Sequence, residues 1–170
     1  MIKKISLLSL ILCLSLASFG VVHAASITDA QSSAISASCA SIKSSLRSNQ
    51  YLDARTRSYY GKYYESILTD YMIPLGTRLL RSSQLDPELT AIQSDFTSSR
   101  AQFNSDYVSY SQAYESLLSI DCAAHPEEFY SQLSTVRDKR QILRDDISSL
   151  EKIIDRFRSS VKTLQESYGK

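Results

Sequence analysis

The chain has 170 residues, with 19 basic and 18 acidic side chains and a formal charge of +1. That balance is too near neutral for the basic face a general nucleic-acid binder needs, and the length suits one domain. Four glycines and three prolines are too few for a β fold with many turns, so long helices are expected.

The N-terminus, MIKKISLLSLILCLSLASFGVVHAAS, reads as a secretory signal peptide over residues 1–24. Lys3 and Lys4 give the positive start, residues 5–22 the apolar run, and Val22-His23-Ala24 a cleavable end. A retained membrane anchor competes with this reading, but the run contains Ser, Gly and Cys and closes on the cleavage motif. Cys13 is a poor lipoprotein cysteine, because Leu12 stands where a small residue is needed. Cleavage would leave 146 residues, 25–170, with 17 basic against 18 acidic side chains. The expected product is a single exported domain, periplasmic, surface-associated or extracellular, with no stable membrane anchor.

The first helix is expected over about 27–80. Its stripe is Ile35, Cys39, Ile42, Leu46, Asn49, Asp53, Thr56, Tyr60, Tyr63, Ile67, Tyr71, Leu75 and Leu79, polar in the middle. Pro74 and Gly76 should kink or interrupt it near its end. The Ser/Ala-rich residues 26–41 leave open whether this end of the helix is fully ordered.

The second helix, about 87–121, opens with Asp86 as N-cap and Pro87 in its first turn. Leu89, Ile92, Phe96, Phe103, Tyr107, Tyr110, Tyr114 and Leu117 form its stripe, with Arg100 inside it.

The third helix, about 126–168, starts at Pro126 with Glu127 and Glu128 against its positive end. From Phe129 to Tyr168 apolar residues recur at steps of four and three, with Arg140 in the series. That heptad seam predicts supercoiling against a partner helix. Ile147, Ile154 and Val161 alternate with Leu143, Leu150 and Leu164, a pattern that in parallel coils favours dimers, so a homodimer stays open. Short connections favour packing within the chain. The fold class expected is all-α: an elongated, antiparallel three-helix coiled coil running up, down and up.

SIDCAAHPEEFY, residues 119–130, sets Cys122 three positions before His125. A cysteine hydrolase would need a base held by a third group and an oxyanion site; zinc would need about four ligands. Neither set is present, so no enzyme activity, metal or cofactor is expected. In an exported chain Cys39 and Cys122 instead suggest a disulfide. Pairing them puts the turn between the first two helices near residues 80–81, close to the expected connection at 81–86.

The same register gathers Asp53, Tyr107 and Arg140 into one buried polar layer, with an Asp53–Arg140 interaction that fixes alignment. The run RSYYGKYYES, 57–66, offers Tyr59, Tyr60, Tyr63 and Tyr64 as a candidate partner-binding patch, or as a wide inner stripe. The run VRDKRQILRDD, 137–146, reads as a solvated face. The functional expectation is a secreted or periplasmic, non-enzymatic helical interaction or structural protein with an unidentified protein partner. The alternative is a periplasmic holdase. The signal peptide, modest size and long helices are similar to the plan of small exported coiled-coil chaperones. Those chaperones are strongly basic and carry a β-rich oligomerisation body, and this chain shows neither.

Overall fold

The computed structural model describes residues 27–84 and 86–168. The expected signal peptide lies outside the described residues. Helix α1 (Asp29–Ser66) passes through a π-helical stretch (Ile67–Met72) into α2 (Ile73–Arg81), making one long first helix. Helices α3 (Pro87–Ser119) and α4 (Pro126–Tyr168) follow. The described residues contain no strand, and three helical rods pack on one another. At 43 residues, α4 alone is about 65 Å long.

Local chemistry sets the ends. Thr28 and Gln31 form a reciprocal capping box on α1. Asp86 accepts from the Glu88 and Leu89 amides at 2.9 and 3.1 Å, closing the start of α3. Beyond Arg81 the chain turns through Ser83 at φ 57°. Gln84 N–H then reaches Leu79 O at 2.9 Å and Ser83 N–H reaches Leu80 O at 3.2 Å, the two bonds of a Schellman cap.

The α-helix is interrupted just before Pro74 and Gly76 by the π-helical stretch, and α-helix resumes through both. A proline ring collides with the carbonyl four residues back in a regular helix. Here Pro74 is the second residue of α2, just past the π-helical stretch, and Ile73 N–H bonds Leu68 O, five residues back. That wider turn also moves the inner face. Tyr71, expected inside, is 58% exposed, while Leu68 and Met72 are buried beside Tyr64. With more residues per turn, the even step from 64 to 68 to 72 stays on one side.

The core runs along the rods: Phe96, Phe103, Tyr110, Tyr114 and Leu117 of α3 against Phe129, Val136, Leu143, Leu150 and Ile154 of α4, with Tyr64, Leu68 and Met72 above them. The α3–α4 interface is the most extensive, and α1 touches both more sparsely. Along α1 from Leu46 to Glu65, partners on α3 step back from Tyr114 to Arg100. Along α3 from Glu88 to Ser109, partners on α4 step back from Ser160 to Lys139. In the 26–41 segment, the residues from Asp29 onward are regular helix.

Candidate functional site

Midway along the rods the inner face of α1 turns polar. Asn49 is exposed and Asp53 is half-buried, so α1 covers α3 and α4 incompletely there. The Asp53 carboxylate accepts from Arg140 Nη2 of α4 at 2.8 Å and from the Tyr110 hydroxyl of α3 at 2.5 Å. One α1 side chain thereby ties both neighbouring helices.

Tyr107, placed in this layer by register, lines one cleft together with Asp53 and Arg140; the hydrogen bond from Tyr110, one turn on, is an addition the register did not call for. The layer is not buried. The Asp53 side chain is 20% exposed and that of Arg140 46%. A carboxylate and a guanidinium are costly to dry, and at the rim water still reaches both. The Tyr110 phenol is held far above its ordinary range, first by burial and then by the Asp53 carboxylate that accepts its hydrogen bond. Burial also raises Tyr107 and Tyr114. The Tyr114 hydroxyl donates to Leu46 O of α1 at 2.9 Å.

Two arginines complete the cleft. Arg57 donates to Asn104 at 2.6 Å and lies 5.5 Å from the centroid of the Tyr107 ring. Arg144 reaches the rim from α4. Neither stood out in the sequence, since each is a single charge within a mixed run. The available signal was the row Tyr107, Tyr110, Tyr114 on α3, set against the polar stretch of α1.

At one end of the rods Cys39 and Cys122 are joined by a disulfide, their Cα atoms 5.5 Å apart. Cys122 is fully buried. Bonded in this way it has no thiol to ionise, so it forms no nucleophile–base pair with His125. His125 is exposed, and its backbone carbonyl accepts from the Phe129 amide at 3.0 Å at the start of α4. Asp121 closes the connection by accepting from the Ala123 amide at 3.0 Å.

The four tyrosines of the 57–66 run divide. Tyr64 is fully buried, its ring edge-on to Phe96 and Phe103 at 6.1 and 5.9 Å. It cannot contact a partner. Tyr60 and Tyr63 are half-buried around it, and Tyr59 is 68% exposed. The Tyr64 hydroxyl is buried and makes no hydrogen bond of normal geometry, but the Glu151 carboxylate faces it closely enough to serve as an acceptor; burial first, and then Glu151, hold the phenol well above its ordinary range.

The 137–146 run is not solvated throughout. Asp146 has a buried oxygen with no partner. Burial, then the neighbouring Asp106 carboxylate of α3, lifts its pKa to about 6.

Compared with known protein families, curated proteins and solved structures, the chain shows no match.

Proposed function

We propose that this is an exported, non-enzymatic helical interaction protein of the cell envelope or surface: an up-down-up, antiparallel three-helix coiled coil that binds a protein partner. The stepwise reversal of partners between successive helices supports the topology. The Cys39–Cys122 bridge supports an oxidising compartment.

One observation carries the interaction reading. Tyr51, Leu52 and Tyr59 are 65%, 51% and 68% exposed on α1, and Arg55 lies 6.0 Å from the Tyr51 ring centroid. Residues 51, 55 and 59 succeed one another at steps of four, so they share a face. Tyrosine and arginine supply much of the energy at protein interfaces, because each offers a broad apolar surface with polar ends. An outward strip of these residues fits contact with a partner better than any role in the core.

The test is capture from envelope extracts with the oxidised protein, in parallel with a Tyr51→Ala/Tyr59→Ala variant. The expected result is one dominant partner held by the wild type and lost by the variant. Equal capture by both would remove the strip from the reading. A broad set of unfolded clients would replace it with the holdase.

A further inference from the structure

Where α1 fails to close over α3 and α4, a cleft of about 180 Å³ remains. Phe103 and Leu143, both buried, form its floor, and the Tyr60 and Tyr107 side chains line it. An apolar cavity of about 150 Å³ is enough to hold a benzene ring. This cleft therefore has room for one ring with a small head group at the open side.

Its charge is unbalanced. Arg57, Arg140 and Arg144 all line it, against the single carboxylate of Asp53. Both oxygens of Asp53 are engaged, one by Arg140 and one by Tyr110. Arg57 spends its bond on a neutral amide, Asn104. Among the described residues Arg144 has neither an ion pair nor a hydrogen bond. Arg144 thus brings to the cleft a positive charge with no ion pair, while the Arg57 guanidinium, bonded to Asn104 and set over Gly61, also lines the adjoining space that holds Glu65. A guanidinium offers paired N–H donors that match a carboxylate, and a flat face that stacks on rings. The Arg57 guanidinium above Tyr107 already shows such an arrangement at the cleft wall.

We propose that this cleft binds a small aromatic carboxylate, its ring among Tyr60, Phe103 and Tyr107 and its carboxylate toward Arg144. The site shares no residue with the Tyr51–Tyr59 strip, so either reading can fail without the other.

The test is titration of the oxidised protein with benzoate at low salt, followed by calorimetry and by the tyrosine and phenylalanine ring resonances. Benzylamine, with the same ring and opposite charge, is the control. The expected result is saturable benzoate binding at one site. Resonance shifts should concentrate on Tyr60, Phe103 and Tyr107, and benzylamine should show no such binding. Arg144→Gln should weaken benzoate about threefold to fivefold, the range of a partly exposed ion pair. Its melting temperature should stay unchanged, because Arg144 makes no ion pair to lose. Absence of saturable benzoate binding would overturn the proposal. So would equal binding of benzylamine, or an unaltered affinity in Arg144→Gln.

Discussion

Asp53 of α1 and Arg140 of α4, 87 residues apart in sequence, meet at 2.8 Å while the other Asp53 oxygen takes the Tyr110 hydroxyl of α3. The arrangement makes Asp53 a shared fastener for all three rods, and the Tyr110 bond matters more than the ion pair. The Arg140 side chain is nearly half exposed, so its pairing is worth about 0.2–1 kcal/mol. The Tyr110 ring is buried, and a stranded hydroxyl there costs about 1–3 kcal/mol. Asp53→Ala should lower unfolding free energy in urea by about 2 kcal/mol, and Asp53→Asn by less, since an amide oxygen still accepts. In the Asp53→Ala background, Tyr110→Phe should cost much less than it does alone. Additive losses would show that the Tyr110–Asp53 bond carries no stability.

The disulfide should hold the first part of α1. There Ile35, Cys39, Ile42 and Leu46 are only half-buried, so little apolar burial ties this stretch down. The bridge spans 83 residues of sequence, and closing such a loop is worth up to about 4–5 kcal/mol in the chain-entropy model. Reduction, or Cys39→Ser, should lower the melting temperature and raise amide exchange over residues 29–50 before it affects α3 and α4. Unchanged exchange there after reduction would mean that packing alone suffices.

Asp146 should make stability depend on mild acid. Its folded pKa, about 6, lies above the ordinary 3.8. Below 3.8 the group is protonated in both folded and unfolded chains and costs nothing. As pH rises from about 4 to 6 the unfolded chain gives up this proton first, so stability falls; above 6 the full cost persists. Asp146→Asn should therefore raise the melting temperature at pH 7 by roughly 1–3 °C, small because the side chain is partly wet. The gain should vanish near pH 4. An equal gain at both pH values would exclude carboxylate repulsion as its cause.

Tyr64 has a buried hydroxyl that makes no hydrogen bond of normal geometry, with the Glu151 carboxylate as the facing acceptor. Tyr64→Phe keeps the ring against Phe96 and Phe103 and removes that hydroxyl. It should stabilise the protein by about 0.5–2 kcal/mol in denaturant. Tyr64→Ala should instead cost about 3–5 kcal/mol through the cavity it leaves. A loss on Tyr64→Phe would mean that the hydroxyl has a working acceptor in solution.

Ser83 sits in the left-handed region at φ 57°, where a Cβ is crowded and glycine is not. Ser83→Gly should add about 0.5–1 kcal/mol, read as a shift in the urea midpoint. A destabilised variant would show that the serine side chain supports the turn.

The sequence was enough for the helices because their signals are local. Asp86, Pro87 and Pro126 mark starts by backbone chemistry within one turn, and the series from Phe129 to Ile154 fixes which side of α4 faces inward. It also placed Cys39, Asp53 and Arg140 close to their structural partners, because regular helices turn a residue number into a height along the rod. What lay beyond it depended on details smaller than a turn. The π-helical stretch replaced Tyr71 by Leu68 and Met72 inside, and no sequence pattern announces an i−5 bond. Tyr110 added a bond to Asp53 beside Tyr107 that the register had not singled out, because a shift of three residues still leaves a side chain on the same face. Whether Arg140 is dry or wet, and whether a cleft opens beside Arg57 and Arg144, depends on how closely α1 approaches α3 and α4. That distance is set by all the side chains between the rods at once, so only the packed structure decides it.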